Sequence, residues 1–246
     1  MLAVSVIFAM FGQGGGSIYT PVLVLLGYAT LISISTSLFL NLITALSASI
    51  VYYKKAMVNL KLGVVFIPGI ALGSFLGGIG SGYVDSKILL WMFVIFLVGV
   101  GARMVYTYWE KVDEEKQKPK EMRIGIYVLA GVFSLGVGLV SGLLGIGGGI
   151  LIVPFLLFVL KIPTKIAAGT ASFVVVFSSL FGVAGHLAGG HFNIQLLIFG
   201  GIAVFIGANI GARLMVKTKP GFIKVAFGVL MWVFALQLVL KLIGYI

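Results

Sequence analysis

Cysteine is absent from this sequence of 246 residues, and charged residues are scarce. Without cysteine, the chain can form no disulfide, thiolate metal site or cysteine nucleophile. Only 9% of the residues are charged, whereas soluble domains average about 25%. The 17 basic and 6 acidic residues cannot cover the surface of a soluble protein of this length. With 61% hydrophobic residues, the chain is predicted to be an integral membrane protein.

Acidic residues are missing from every apolar segment. Asp85 lies in a short loop, and the other five acidic residues lie between Glu110 and Glu121. Proton-coupled carriers usually keep a carboxylate within the membrane, so this distribution argues against proton coupling. The sequence also lacks a metal-ligand cluster and a nucleophile–base pair, so we expect no enzyme activity, no metal and no cofactor. The net charge of +11 does not indicate nucleic-acid binding, because the basic residues are scattered between apolar runs.

Ten apolar segments follow one another along the chain, and the longer ones are near the length of about 20 residues that crosses a bilayer as a helix. The first five are 1–11, 17–29, 33–53, 62–82 and 87–109, and the second five are 123–143, 150–160, 166–187, 194–216 and 222–243. We therefore expect an all-α polytopic membrane protein.

Two glycine-rich stretches match each other. Phe11-Gly-Gln-Gly-Gly-Gly-Ser17 and Leu144-Gly-Ile-Gly-Gly-Gly-Ile150 are each followed by a proline, Pro21 or Pro154. The offset between the copies is 133 at these turns and 134 beyond them, for about ninety residues. Such self-similarity indicates a tandem duplication. The predicted units are a first repeat over 1–109, a charged linker over 110–122 and a second repeat over 123–246.

An odd number of segments in each copy places the second copy upside down in the membrane. With the linker in the cytoplasm, ten of the basic residues outside the linker fall inside and two fall outside. The basic loop 54–61 has a repeat partner, 188–195, without Lys or Arg, and the nearly uncharged loop 83–87 has the basic partner 217–224. This exchange is what inversion requires under the positive-inside rule. We predict two inverted-topology repeats, each with four transmembrane helices and a glycine-rich half-helix hairpin, and both termini outside.

The glycine turns are the strongest candidates for a binding site. Segments 17–29 and 150–160 are about 17–20 Å long as helices, too short to span, so each is predicted to re-enter the membrane as a half-helix. The two turns would then approach each other near the middle of the membrane. Free N–H groups and the positive ends of the half-helices would favour an anion there, as in other transporters built from inverted repeats.

Polar residues within the spans add further candidates. Asn41 and Thr44 share one helix face, and Thr44 corresponds to Ser178 in the second copy, which Ser179 follows. The full set of predicted substrate-binding residues is Gly12, Gln13, Gly14, Gly15, Gly16, Ser17, Asn41, Thr44, Gly145, Gly147, Gly148, Gly149, Ser178 and Ser179. Hydroxyl groups in membranes also serve simply as hydrogen bonds between helices, and that interpretation stays open for each of them.

Several other residues are given structural roles. Glycines that recur four apart in both copies are expected to permit close helix packing; they are Gly73, Gly77, Gly207 and Gly211. His186 and His191 are expected at the surface rather than in a proton relay. The side chains of Arg103 and Arg213 are expected to extend to the inner membrane interface. For Arg213, the alternative is a role as an inner gate for an anion.

At the two glycine turns the sequence resembles the sulfite exporter TauE/SafE family of membrane permeases. The resemblance rests on Gly12–Pro21, on Gly145–Pro154, and on the polar residues 35–37 and 169–172 that open the following helices. It covers nearly the whole chain. It implies transport of sulfite or a small organosulfonate such as sulfoacetate. Gln13 stands where the second copy has Ile146, so the two halves of the site differ chemically.

The favoured hypothesis is a secondary transporter that moves a small anion, sulfite or an organosulfonate, outward by alternating access. We expect it in the plasma membrane of a prokaryote, with the anion and the lipid bilayer as its partners. The inside-negative membrane potential would drive export without a coupling ion. An ion-coupled importer, a channel and a membrane scaffold subunit without transport are the alternatives. The sequence does not indicate an oligomeric state.

Overall fold

The computed structural model describes residues 2–10, 14–109, 124–187, 194–217 and 220–243. Its regular elements in this part of the chain are all helices, and none of these residues lies in a strand. The helices are α1 Leu2–Met10, α2 Gly16–Leu25, α3 Thr30–Lys54, α4 Leu60–Gly80, α5 Ser86–Trp109, α6 Ile124–Leu144, α7 Gly149–Pro154, α8 Thr164–Leu187, α9 Ile194–Lys217 and α10 Pro220–Leu242. A 3₁₀ turn, Ser81–Tyr83, extends α4, and a π turn, Phe155–Val159, extends α7. The predicted all-α architecture is confirmed.

In this fold, apolar side chains face outward and polar side chains are buried, as in a membrane protein. Among the described residues, five helices are long and apolar enough to cross a membrane, namely α3, α4, α6, α8 and α9. Large apolar side chains face outward, and Phe199 is 75% exposed. Polar side chains such as Asn41, Thr44 and Ser178 are instead fully buried. This arrangement is unfavourable in water and favourable in lipid, where buried polar groups bond to one another.

Glycines bring the backbones of neighbouring helices into contact. A Cβ on Gly73 would collide with the carbonyl oxygen of Leu135 on α6, and one on Gly77 would collide with that of Leu139. Because successive glycines of α4 meet successive turns of α6 in the same order, the two helices run parallel. Gly207 and Gly211 on α9 meet the backbone of α1 in the same way. The predicted packing role of these glycines is confirmed.

A single asparagine begins α4 and ties its loop to α8. The Asn59 side-chain oxygen accepts a hydrogen bond from the Leu62 N–H (3.2 Å), which caps the first turn of the helix. The Asn59 N–H donates to the Thr170 hydroxyl (2.9 Å). The position of α4 relative to α8 is therefore fixed where the α3–α4 loop ends.

The hairpin of α6 and α7 has limbs of unequal length. The 21 residues of α6 give a helix about 31 Å long, and His186, at the end of α8, donates from Nε2 to the Gly142 carbonyl (3.0 Å). The chain then turns back, and a Cβ on Gly148 would lie 3.6 Å from the Ser178 hydroxyl, near the middle of α8. Thus α6 is as long as a full span, whereas α7 begins at the level of the middle of α8.

The prediction that His186 lies at the surface is wrong. Its side chain is 2% exposed, and the ring lies between the Gly142 carbonyl and the Ser81 hydroxyl. Gly78 and Gly185 bring α4 and α8 into backbone contact, so the last turn of α8 is enclosed. His191 lies outside the described residues, and so does the side chain of Arg103.

Candidate functional site

The two glycine turns are in direct contact. A Cβ on Gly16 would lie 2.5 Å from the carbonyl oxygen of Gly145 and 2.7 Å from that of Ile146. Five glycines of the turns have positive φ angles, which residues with a Cβ adopt only with strain; they are Gly14, Gly15, Gly145, Gly147 and Gly148. Glycine is therefore required here both for backbone conformation and for close approach. The other two predicted turn residues, Gly12 and Gln13, lie outside the described residues.

Asn41 joins the two turns from the middle of α3. Its Oδ1 accepts a hydrogen bond from the Gly16 N–H (3.0 Å). Its Nδ2 donates to the Ser179 hydroxyl (2.8 Å) and points at the Ile146 carbonyl (3.5 Å). A Cβ on Gly14 or on Gly147 would collide with the amide group. One fully buried side chain thus contacts α2, α8 and both turns.

Ser37, one turn before Asn41, contacts the same two turns through their carbonyl groups. Its hydroxyl lies 3.0 Å from the Gly16 carbonyl oxygen and 3.0 Å from that of Gly145. Thr20 adds a hydrogen bond from its hydroxyl to the Leu144 carbonyl (3.3 Å). Neither residue was selected from the sequence. The signal for Ser37 was its spacing of four residues from Asn41, which places both on one face of α3.

Ser178 belongs to a cluster of three hydroxyl groups beside the second turn. Its Oγ lies 2.8 Å from that of Ser74 on α4 and 2.9 Å from that of Ser141 on α6. All three side chains are buried. The cluster joins α4, α6 and α8 next to Gly148. Ser74 and Ser141 were not predicted, because one serine in an apolar helix has no distinctive pattern.

Among the described residues, Thr44 contacts the first turn through Tyr19. Because the Thr44 hydroxyl donates to the Leu40 carbonyl (2.8 Å), it accepts its hydrogen bond from the Tyr19 hydroxyl (2.9 Å). The Tyr19 ring fills the space next to Gly15, where a Cβ would lie 2.8 Å from the ring. The structure therefore places Thr44 behind the turn, and Tyr19 between the two.

The start of α7 presents N–H groups without partners. The Gly148 carbonyl accepts from the Leu151 and Ile152 N–H groups (3.1 Å each). Within the described part of the chain, the N–H groups of Gly148, Gly149 and Ile150 form no hydrogen bond, although these residues are buried. In α2 the Gly16 N–H is bonded to Asn41, and Ser17 is buried beside it. Buried N–H groups without partners are costly, so this point favours an anionic ligand.

Among the described residues, no Lys, Arg, Asp or Glu is buried with the turns, and no group of three potential metal ligands occurs. In the described part of the site, the groups that can stabilise negative charge are peptide N–H groups, hydroxyls and the Asn41 amide. The described polar groups of the site bond mainly to one another. A cavity of about 450 Å³ lies away from the turns, between the ends of α3 and α9, and Arg213 lines it.

Comparisons with known proteins agree with this architecture. The model of the sulfite exporter TauE/SafE family matches residues 1–238. A probable membrane transporter protein of Bacillus subtilis is 26% identical, with 94% of this chain and 92% of the relative covered. One from Methanocaldococcus jannaschii is 25% identical, covering 96% and 92%. An Arabidopsis thaliana protein named as a sulfite exporter TauE/SafE family protein is 34% identical over 37% of this chain and 21% of its own length. No solved structure matches.

Proposed function

Because this chain belongs to the sulfite exporter TauE/SafE family and is a multi-pass membrane transporter, we propose that its substrate is sulfite or a small organosulfonate. The substrate would bind where the two glycine turns meet, and export is the favoured direction. Such anions have oxygen atoms that accept several hydrogen bonds at once, which suits a site made of N–H and hydroxyl donors.

The observation that carries the proposal is the contact of both turns with Asn41. The free N–H groups of Gly148, Gly149 and Ile150 are a short distance along the chain from this contact. An anion entering between the turns would accept hydrogen bonds from these groups and from the Asn41 Nδ2. Separation of the turns would release Gly16 from Asn41 and offer one more donor. The positive ends of two half-helices would favour the negative charge further.

Alternating access would follow from two inverted repeats. Equivalent contacts support this arrangement: α4 runs parallel to α6 with Gly73 and Gly77 between them, and α9 runs parallel to α1 with Gly207 and Gly211. These glycine pairs are separated by 134 residues. Rocking of one repeat against the other would expose the meeting point of the turns to each side in alternation.

The membrane potential would supply the driving force. Each negative charge leaving an inside-negative compartment gains about 2.3 kcal/mol at 100 mV. Under the positive-inside rule, the basic loops favour a cytoplasmic position for the α3–α4 loop and the linker. Export therefore needs no intramembrane carboxylate, and Asp85, the one acidic residue in the described part, is exposed in a loop.

The test is sulfite flux in proteoliposomes that contain the purified protein. We expect efflux above that of empty vesicles, faster with the interior negative than with the interior positive. Uptake that requires a sodium gradient would instead favour an importer. If neither sulfite nor sulfoacetate moves faster than in empty vesicles under either potential, the proposed substrate class is wrong.

A further inference from the structure

A groove between the ends of α3 and α9 combines an aliphatic wall with a cluster of positive charge. Its volume is about 450 Å³. The lining residues are Ile50, Val51, Lys54, Lys55, Asn209, Arg213, Val216 and Lys217. We propose that this groove binds the headgroup of an anionic phospholipid, a site separate from the glycine turns.

The groove follows on from the place where α3 and α9 touch along their middle. A Cβ on Gly200 would lie 2.9 Å from the Leu40 side chain. One to two turns further, the Ser47 hydroxyl donates to the Phe205 carbonyl (3.3 Å). Beyond this bond the groove opens over the last turns of both helices.

The groove lies on a lipid-facing side of the protein. The large apolar side chains on this stretch are exposed: Leu46 by 49%, Ile50 by 47% and Phe205 by 52%. Exposed apolar side chains at this density are stable beside acyl chains and unfavourable beside water. An occupant that enters from the bilayer can therefore place hydrocarbon against Ile50 and phosphate against the cations.

The cationic end of the groove has no counter-charge in the described part of the chain. Its four basic side chains, Lys54, Lys55, Arg213 and Lys217, are all exposed. The one carboxylate in the described part, Asp85, instead accepts from the Lys87 N–H (2.7 Å) at the start of α5. Clustered like charges repel, and a phosphate would relieve that repulsion, with Arg213 able to bind two of its oxygens.

The aliphatic wall distinguishes a lipid from a free anion. Inorganic phosphate or sulfate would gain nothing from Val51 or Val216 and would compete with water for the lysines. A phospholipid gains from both surfaces, and basic pockets between transmembrane helices are where anionic headgroups bind. The occupant consistent with charge and apolarity together is therefore a lipid of the phosphatidylglycerol type.

Binding of dioleoylphosphatidylglycerol to the detergent-purified protein can be measured by native mass spectrometry, with the neutral phosphatidylcholine as reference. We expect Arg213→Gln/Lys217→Gln to weaken phosphatidylglycerol binding about thirtyfold, the effect of two cations beside a lipid phosphate. Asn209→Trp keeps all four cations but fills the groove, so it should also lose the lipid. The matched control, Lys61→Gln/Lys87→Gln, removes the same charge from exposed positions outside the groove and should stay within about twofold of the original chain.

Three results would overturn the proposal. Equal weakening in the groove variant and in the control would mean that the lipid responds to net charge alone. Displacement of the lipid by inorganic phosphate at matched concentration, or full binding by Asn209→Trp, would mean that the cations bind a free anion without using the groove wall.

Discussion

At the residue scale, Asn41 is the side chain on which the candidate site depends. Its amide oxygen accepts a hydrogen bond from the N–H of Gly16 at the start of α2. Its amide nitrogen donates to Ser179 on α8 and points at the Ile146 carbonyl of the second turn. No hydrophobic residue can fill both roles, and a carboxylate would lack the donor for Ser179. An amide can also rearrange its hydrogen bonds without changing charge, as a site that binds and releases an anion requires.

Replacing Asn41 with leucine should disable transport while keeping nearly the same volume. The Gly16 N–H and the Ser179 hydroxyl would lose a buried partner, at a cost of about 1–3 kcal/mol. We expect sulfite flux in proteoliposomes to fall about tenfold or more, because a loss of about 1–3 kcal/mol in binding free energy weakens affinity by a factor of that order. Ser49→Ala, two turns further along α3, is the control and should retain flux. Full flux in Asn41→Leu would exclude the amide from the transport path.

Gly16 tests the contact between the turns. In Gly16→Ala the added Cβ would lie 2.5 Å from the Gly145 carbonyl oxygen, which forces the turns apart although alanine is the better helix former. We expect lost flux and a lower thermal midpoint of unfolding. The matched control is Gly136→Ala on α6, where nothing lies within 4 Å of a Cβ and stability should rise by about 0.5–1 kcal/mol. Equal behaviour of the two variants would refute the contact.

At the element scale, two rows of glycines, here called glycine seams, join helices: Gly73 and Gly77 join α4 to α6, and Gly207 and Gly211 join α9 to α1. Along these seams the backbones touch, so attraction between helices comes from close packing, which replaces the hydrophobic effect that lipid cannot supply. The half-helix α7 is packed inside this framework. Within the described part of the chain, its first residues keep N–H groups without partners, which would not be stable at a helix end exposed to lipid.

Gly77→Val should break the seam between α4 and α6. The valine side chain would collide with the Leu139 carbonyl, and overpacking of this kind costs about 1–3 kcal/mol. The measurement is the fraction of protein that stays monodisperse after heating in detergent. Gly99→Val on α5, where a Cβ meets no atom within 4 Å, should leave this fraction unchanged. A stable Gly77→Val variant would show that the helices do not pack as described.

The helices and the glycine turns could be predicted because they depend on local patterns. Apolar runs ended at polar or glycine-rich loops, and the bounds of α4, α8 and α9 lie within about two residues of those expected, as helix ends usually do. The duplicated triple glycines predict both turns from the sequence alone. Asn41 was identifiable because an amide inside an apolar span is costly unless it is bonded.

The partners of single hydroxyl groups could not be predicted. Ser74 and Ser141 acquire their roles only from the contact of distant helices, and each looks like an ordinary serine in its own helix. The burial of His186 was missed for the same reason, since it depends on Gly78 of another helix. Such roles arise from tertiary packing, and one sequence carries no local sign of them.

At the scale of the whole molecule, the arrangement in the membrane can be mapped by thiol labelling, because the chain has no cysteine of its own. Single variants Lys55→Cys and Tyr83→Cys place a thiol at either end of α4, and both positions are exposed. We expect a membrane-impermeant maleimide to label Tyr83→Cys in intact cells and Lys55→Cys only after permeabilisation. The opposite pattern would reverse the predicted topology, and labelling of both in intact cells would contradict a spanning α4.

The most direct test of the central claim is the position of a bound anion between the turns. Selenite has the same pyramidal shape as sulfite, and its selenium gives an anomalous X-ray signal. In crystals grown with selenite, the account predicts an anomalous peak for selenium between the turns, which are separated around it. The selenite oxygens should lie about 3 Å from the amide nitrogens of Gly148, Gly149 and Ile150. Selenite bound elsewhere, with Asn41 still joining both turns, would contradict the account.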